Sequence, residues 1–233
     1  MTTDERMIRD FTYQRRLIPN RYVAAMDRGV QTTEQALART GLSIGYPGWN
    51  LLYYATLCGL SRTGANMIVE TGTNWGFSTI MLAQALLDSG LAGHVHSVEA
   101  NEQNHEKART NIERARVAHL ITLHLGDAKA FLQGFVPHVD GTIRVAFIDG
   151  SHAQDDVVSE FAAIHPKIDD DSTVFFDNTY KIADDGEADQ RVNGALRIIL
   201  DRYGGNLVNF PNCSWFTPGQ AIWQKAPFLK DWT

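Results

Sequence analysis

A buried strand that runs into a glycine turn and then into a helix is the feature that most constrains this chain. Residues 67–70 (MIVE) are apolar up to Glu70, as expected for a strand that is covered on both faces. The turn contains Gly72 and Gly76, which permit a tight bend and the close approach of a ligand. Residues 79–87 (TIMLAQALL) then carry apolar side chains at helical spacing. The stretch predicts a nucleotide-type binding loop with free N–H groups at a helix start.

Strand and helix patterns alternate from residue 66 onward. We predict strands at 66–70, 94–99, 120–125, 143–149 and 172–177, and helices at 76–88, 102–116, 128–134, 153–165 and 189–203. This alternation is typical of an α/β fold with a doubly wound parallel sheet and helices on both faces. The last two strands, 207–210 and 221–224, have no helix between them. They therefore predict an antiparallel pair at the sheet edge.

The N-terminal part, residues 1–60, is predicted to be a helical cap that precedes the sheet of residues 66–225. With 233 residues, 44% of them hydrophobic and 21% charged, the chain is expected to fold as one globular domain, 1–233. Within the cap, Trp49 and Tyr53 either floor a substrate pocket or pack a helix onto the sheet. The cap also offers a surface for a homo-oligomer.

Net charge and the N-terminus exclude some partners. A net charge of −6 argues against a nucleic-acid backbone, which requires a basic surface. The first residues are polar and charged, unlike a signal peptide, and no apolar run reaches the ~18 residues of a membrane span. We therefore expect a cytoplasmic protein that acts on a small molecule, with no membrane or nucleic-acid partner.

Five acidic residues lie at or just beyond the carboxyl ends of predicted strands: Glu70, Glu99, Asp127, Asp149 and Asp177. In a doubly wound sheet these ends share one edge, where ligands bind. One such acid is explained by a helix cap, but five in series favour a binding site. Glu99 is placed to accept from both hydroxyls of a ribose. Asp127 is placed either to accept from an adenine amino group or to cap the next helix.

The glycine turn narrows the type of nucleotide. Its sequence, Gly72-Thr73-Asn74-Trp75-Gly76, is not GxGxxG, and it lacks the Lys-Ser/Thr pair of a phosphate-binding P-loop. These departures disfavour a dinucleotide and ATP. They favour a nucleoside that carries no pyrophosphate.

These motifs resemble those of the class I S-adenosylmethionine-dependent methyltransferases. The resemblance rests on 70–78 (ETGTNWGFS), Glu99 and 126–128 (GDA), and it spans roughly residues 45–225. It implies the strand order 3-2-1-4-5-7-6 with strand 7 antiparallel. It also implies that Glu70 and Gly72 lie near the methionine part of the cofactor, Glu99 near the ribose and Asp127 near the adenine. The cofactor-binding residues predicted on this basis are Glu70, Gly72, Asn74, Gly76, Ser78, Glu99, Ala100, Asp127, Ala128 and Asp149.

A second group of side chains follows the fourth and fifth strands. Asp149 ends the fourth strand and Asp177-Asn178 ends the fifth. Because adjacent strands lie about 5 Å apart, these three side chains can converge and bind Mg²⁺ or another divalent cation. His152 is then placed to act with Asp149 in catalysis, taking the proton of a substrate hydroxyl. The alternative is that His152 caps the following helix or bonds to Asp155 or Asp156.

This second group resembles two types of metal-dependent O-methyltransferase. Asp149 and Asp177-Asn178 match the catechol and caffeoyl-CoA type, which has a Lys where this chain has His152. The stretch 149–152 (DGSH) instead resembles the macrolide-sugar type, which usually has a second acid at the position of Asn178. The acidic residues 179–189 are either a lid over the substrate, with Tyr180 nearest the site, or a solvated loop.

The leading hypothesis is therefore metal-assisted O-methylation of a small molecule. Two alternatives remain: a metal-independent N-methyltransferase, and a non-catalytic protein that binds S-adenosylmethionine or another nucleoside.

Overall fold

The computed structural model describes residues 17–179, 191–214 and 219–225. Its helices are Arg21–Asp27 (α1), Thr33–Thr40 (α2), Gly48–Gly59 (α3), Phe77–Ser89 (α4), Glu102–Ala115 (α5), Ala128–Phe135 (α6), Gln154–Ile164 (α7) and Val192–Tyr203 (α8). Its strands are Asn66–Thr71 (β1), Gly93–Glu99 (β2), Ile121–Leu125 (β3), Ile143–Ile148 (β4), Thr173–Thr179 (β5), Asn206–Phe210 (β6) and Gly219–Gln224 (β7). No helix in these ranges combines the length and the apolar character needed to cross a membrane.

The strands form one sheet in the order β3-β2-β1-β4-β5-β7-β6. The pairs within β1 to β5 are parallel, whereas β7 runs antiparallel to both β5 and β6. The predicted fold class and the predicted strand order are both confirmed. The order reverses between β1 and β4, so a crevice opens above the carboxyl ends of these two strands.

Apolar side chains cover both faces of the central strands. On one face, Trp49 of α3 and Phe77 of α4 pack with Phe147 of β4. On the other face, Phe161 of α7 packs with Trp223 of β7. Burial on both sides explains why the central strands have nearly continuous apolar sequences, and it provides a rigid base for the loops at their carboxyl ends.

The N-terminal helices are fastened to the helices beside the sheet by polar contacts. The side chain of Asn20 caps α1 and donates to Gln84 Oε1 of α4 at 2.8 Å. The Tyr22 hydroxyl donates to Asn111 Oδ1 of α5 at 2.7 Å. Helices α1 to α3 thus precede the sheet, and Asn20 and Tyr22 join this part of the chain to α4 and α5.

The structure corrects the expectation that Trp49 and Tyr53 floor a substrate pocket. Trp49 is fully buried, with its ring 6.2 Å from that of Phe77. Tyr53 is also buried, and its hydroxyl donates to Asp88 Oδ2 at 2.7 Å. Both side chains therefore pack α3 against α4, which is the alternative that the apolar character of α3 had left open.

The end of β5 differs from the sequence prediction. Residues 178 and 179, which follow the predicted strand 172–177, belong to the strand, because Thr179 pairs with Gly219 of β7 after an irregularity in the register. Residues 180–190, which include Tyr180 and most of the predicted lid, lie outside the described residues.

Candidate active site

Two neighbouring cavities lie at the carboxyl edge of the sheet. The large cavity, of about 450 Å³, is bordered by the loop after β1, by the ends of β4 and β5, and by residues 41–44. The small cavity, of about 140 Å³, lies between the ends of β2, β3 and β4 and the helices α6 and α7. Gly72, Glu99 and Gly150 border both, so the two cavities form one crevice where the strand order of the sheet reverses.

Gly72 brings the loop after β1 against the end of β4. Its φ of +80° lies in the left-handed region, and a Cβ at this position would stand 2.2 Å from the carbonyl oxygen of Asp149. A side chain is excluded by both the backbone conformation and the space. The sequence predicted that Gly72 permits the close approach of a ligand. In the structure Gly72 also permits the close approach of the residues after β4, which brings Asp149 to the crevice.

Glu99 is oriented by two backbone N–H groups at the end of β2. The N–H of Asn74 donates to its Oε2 at 2.6 Å, and the N–H of Asn101 donates to its Oε1 at 2.8 Å. Each carboxylate oxygen has a further lone pair for another donor. Because Glu99 borders both cavities, the carboxylate is held where the diol of a ribose could donate to it.

Glu70 lies beneath the crevice. Its carboxylate is fully buried and accepts from the hydroxyls of Ser97 (2.6 Å) and Thr79. Burial raises the pKa of this carboxyl to about 7, although the neighbouring hydroxyls oppose the shift. Glu70 therefore ties β1 to β2 and α4, and its side chain is not part of the lining of either cavity. Gly76 likewise serves the turn, where it packs against Ala108 of α5 with a φ of +83°.

Asp127 caps α6 at the outer side of the small cavity. Its Oδ1 accepts from the N–H of Ala130 at 2.9 Å, which is the contact of an N-cap residue. The residue is exposed and borders the small cavity together with Ala100 and Ala128. The capping alternative is thus observed, and a contact between Asp127 and adenine stays a prediction.

Asp149, Asp177, Asn178 and His152 converge at the large cavity. With its amide NH₂ turned toward them, the Asn178 nitrogen lies 3.1 Å from Asp149 Oδ1, 3.1 Å from Asp177 Oδ2 and 3.0 Å from His152 Nε2, and its two N–H groups can donate to two of these acceptors at a time. Asn178 has a φ of +58° in the irregular end of β5. Asn tolerates this left-handed conformation, which lets consecutive side chains of β5, Asp177 and Asn178, meet the same group of residues.

The two carboxylates of this group are short of positive partners. Asp177 is 4% exposed, and within the described part of the chain its Oδ1 has no hydrogen-bond partner. Burial raises the pKa of Asp149 and of Asp177 well above the usual range, and nearby carboxylates (Glu70 beside Asp149, and Asp149 beside Asp177) raise them further. A cation at this position would relieve both effects, so the residues present fit a divalent metal ion.

The atoms that could bind a metal ion at this position are oxygen atoms. Within the described ranges, no group of three His, Cys, Asp or Glu side chains is arranged to hold a metal ion. The candidate set consists of two carboxylates and one amide, which are hard ligands suited to Mg²⁺ with other oxygen atoms completing the coordination.

His152 faces the carboxylates and not the helix that follows it. Its Nε2 lies 3.4 Å from Asp149 Oδ1, whereas α7 begins at Gln154 without a side-chain cap. Asp156 accepts from Lys129 and Ser151 instead. Burial lowers the pKa of His152, and the nearby Asp177 carboxylate opposes the shift. The imidazole is therefore mainly neutral near pH 7, the form that can accept a proton.

Comparison with known families decides the class of protein. Residues 69–179, which run from β1 to the end of β5, match the family model described as a methyltransferase domain. This chain carries a methyltransferase domain. The predicted resemblance to class I S-adenosylmethionine-dependent methyltransferases is confirmed, and so is the prediction that the protein is an enzyme of this class.

Solved structures share the fold of this methyltransferase. The O-methyltransferase TomG of Streptomyces achromogenes, in complex with S-adenosylmethionine, superposes with a TM-score of 0.72 at 18% identity, covering 97% of this chain and 100% of that one. An O-methyltransferase from Bacillus cereus, in complex with S-adenosylhomocysteine, gives 0.65 at 21% identity over 88% and 94% of the two chains. The S-adenosylhomocysteine-bound methyltransferase PaMTH1 of Podospora anserina gives 0.65 at 12% identity over 88% and 87%.

Most of the predicted cofactor residues border the crevice of the methyltransferase. Gly72, Asn74, Ser78, Glu99 and Asp149 border the large cavity, and Ala100, Asp127 and Ala128 border the small one.

The wall formed by residues 41–44 was missed by sequence reasoning. The carbonyl of Gly41 accepts from Asn74 Nδ2 at 2.8 Å, and the Trp75 ring packs against Gly41 so closely that a Cβ there would stand 2.9 Å from it. Lys107 lies over the same ring, 3.0 Å from its centroid. The contacts join parts of the chain more than 30 residues apart. In the sequence, the only mark of this segment is the glycine that ends α2. That glycine predicts the end of a helix and does not predict that residues 41–44 lie at the site.

Proposed function

We propose that this methyltransferase transfers the methyl group of S-adenosylmethionine to a hydroxyl group of a small molecule, such as a natural product, a sugar or a catechol-like compound. We further propose that the reaction uses a divalent cation and that His152 is its base. The observation that carries the proposal is the convergence of Asp149, Asp177, Asn178 and His152 beside the glycine loop.

The crevice suits a nucleoside-linked methyl donor that lies across both cavities. Glu99 would accept from the ribose, and the base would enter the small cavity beside Ala100 and Ala128. The methionine part would then extend into the large cavity past Gly72 and Asn74, toward Asp149. The complexes of TomG with S-adenosylmethionine and of the Bacillus cereus enzyme with S-adenosylhomocysteine support this cofactor.

Asp149, Asp177 and Asn178 would hold the cation. When bound, a divalent ion lowers the pKa of a coordinated hydroxyl and fixes the position of its oxygen. The amide of Asn178 suits a site that can be filled or empty. With its oxygen turned inward it offers a ligand, and with its NH₂ turned inward it donates to both carboxylates.

His152 would take the proton of the acceptor hydroxyl at Nε2. This atom already lies beside Asp149 and Asn178, and the lowered pKa of His152 keeps it free to accept a proton near neutral pH. The side chain is 46% exposed, so the proton can pass from the imidazole to water. Asp149 would hold the ring in place and stabilise its protonated form.

A hydroxyl acceptor is favoured over an amine by the type of ligand set. Two carboxylates and an amide oxygen bind hard cations, which bind hydroxyl oxygens better than amines. Two of the similar structures, TomG and the Bacillus cereus protein, are O-methyltransferases, which agrees with this choice. The volume of the large cavity, about 450 Å³, suits a small acceptor.

The proposal is tested by binding and by turnover. Mn²⁺ binding, followed by electron paramagnetic resonance, is expected for the wild-type protein and should be lost in Asp177→Asn. Asp155→Asn changes an exposed carboxylate in the first turn of α7 and serves as the matched control. Release of S-adenosylhomocysteine with catechol and sugar acceptors should stop in EDTA and return with Mg²⁺.

Two experimental outcomes would contradict the proposal and favour another function. Full turnover of an amine acceptor in EDTA would identify a metal-independent N-methyltransferase. A failure to bind both S-adenosylmethionine and S-adenosylhomocysteine in calorimetry would leave a non-catalytic protein.

A further inference from the structure

A buried carboxyl group, Glu160 of α7, borders the small cavity. Glu160 is 1% exposed and is nevertheless one of the residues that border the cavity. Its Oε2 accepts from the hydroxyl of Thr71 at 2.6 Å. Its Oε1 is directed to Gly150, where a Cβ would stand 3.3 Å from it. The proposed proton transfer and the proposed metal site do not use this group.

The other acids around the small cavity are already engaged. Asp156 pairs with Lys129 at 2.5 Å through one oxygen and accepts from Ser151 at 2.7 Å through the other. Asp127 caps α6 and is exposed. Each oxygen of Glu99 accepts from a backbone N–H on the side of the ribose site. Glu160 is the most deeply buried of these four acids.

The surroundings of Glu160 favour a ligand that donates to it. Burial raises the pKa of this carboxyl to about 7, with the charges of Asp156 and Asp127 adding to the shift. A donor that reaches it from the cavity would stabilise the ionised form, because a buried carboxylate gains more from a hydrogen bond than an exposed one. The exocyclic amino group of adenine is such a donor.

We propose that Glu160 recognises the amino group of the adenine base of S-adenosylmethionine, at the end of the small cavity between α6 and α7. This inference rests on the proposed placement of the nucleoside across the crevice. It assigns to Glu160 the selection of adenine that the sequence motif assigns to Asp127. The Lys129–Asp156 pair then closes the outer side of the same cavity, next to the base.

The test compares two ligands that differ at this amino group. Calorimetry at about pH 8, where Glu160 is mainly ionised, measures the affinity of S-adenosylhomocysteine and of S-inosylhomocysteine, which carries an oxygen in place of the amino group. Wild-type protein should bind the adenine compound roughly 10- to 100-fold more tightly, as expected for a hydrogen bond to a charged group. Glu160→Gln should lose or reverse this preference, because a Gln amide can donate to the oxygen of the inosine compound.

Asp127→Asn is the comparison variant, since it changes an acid of the same cavity and keeps a capping side chain. It should retain the preference for adenine. Thermal unfolding of each variant separates a folding defect from a binding defect. If Glu160→Gln does not fold, Thr71→Val, which removes the donor on Oε2 and leaves the carboxyl in place, should reduce the preference.

Three results would overturn the inference. Equal affinity of the two compounds for wild-type protein means that the site does not select the amino group over the oxygen. An unchanged preference in Glu160→Gln, with loss in Asp127→Asn, returns the role to Asp127. If the wild-type protein binds neither compound, the proposed function fails first, and the inference fails with it.

Discussion

Replacing Gly72 by Ala should damage the fold and the cofactor site together. The added Cβ would stand 2.2 Å from the carbonyl oxygen of Asp149 and 2.6 Å from its carbonyl carbon. Both contacts are with backbone, so no side-chain rotation can relieve them. Because Gly72 and Asp149 directly follow the neighbouring strands β1 and β4, the new methyl group must push the ends of these strands apart.

The expected cost has two parts. A non-glycine residue at a φ of +80° loses about 1–2 kcal/mol through the left-handed backbone conformation. Overpacking against a fixed backbone adds about 1–3 kcal/mol or more. Gly90, which ends α4 with a φ of +67° and whose Cβ position has no atom within 4 Å from the described residues beyond its chain neighbours, supplies the matched control. Gly90→Ala should incur only the first part.

Urea unfolding followed by tryptophan fluorescence measures both variants, and calorimetry with S-adenosylhomocysteine measures the site. Gly72→Ala should lose about 2–5 kcal/mol of unfolding free energy and should bind the cofactor product weakly. Gly90→Ala should lose about 1–2 kcal/mol and bind normally. Equal losses of stability in the two variants, or normal cofactor binding by a folded Gly72→Ala, would refute the reasoning from the contact with Asp149.

Three further predictions concern single side chains. His152→Ala should lower kcat by roughly 10²–10⁴ with little change in the affinity for S-adenosylhomocysteine, and rising pH should restore part of the rate; a parallel loss of affinity would speak against a base. Glu70 has a pKa of about 7 in the folded protein and 4.5 as its ordinary value, so the stability that its neutral form provides is complete below about pH 4.5 and falls by about 3 kcal/mol as the pH rises through 7. Glu70→Gln should remove that part of the pH dependence in urea unfolding, and an unchanged slope would contradict the assignment. Trp49→Ala should cost about 3–5 kcal/mol of stability and leave the KM for the acceptor unchanged, since the ring packs in the core.

The fold could be predicted from the sequence because the strands and helices of the sheet are marked by local patterns of apolar residues. Apolar residues on both faces mark β1, β4 and β5 as buried strands, and the helix between each pair of strands makes their parallel order the expected one. The end of β5 could not be read in this way. Its last residues depend on pairing with β7, about 40 residues later in the chain.

The site could be predicted only where topology alone places a residue. Asp149 and Asp177 meet because each directly follows the last paired residues of β4 and β5, Ile148 and Phe176, whatever the side chains between them. The wall at residues 41–44 has no such origin. Two hydrogen bonds hold it in position: Asn74 Nδ2 donates to the carbonyl of Gly41, and the N–H of Gly45 donates to Ser214 Oγ at 2.8 Å. These contacts exist only once the chain has folded.

The strand-end acids show how far position determines role. Topology brings all five to one edge, but burial and the nearest donors divide them. Hydroxyls of β2 and α4 draw Glu70 into the core, whereas two backbone N–H groups hold Glu99 in the crevice. Asp127 is engaged as a helix cap, whereas Asp149 and Asp177 meet at the large cavity, where Asp177 Oδ1 has no hydrogen-bond partner among the described residues. Glu70 Oε1 also lacks a partner among the described residues, but Glu70 borders neither cavity; the meeting of two carboxylates at the large cavity is what makes Asp149 and Asp177 fit a cation.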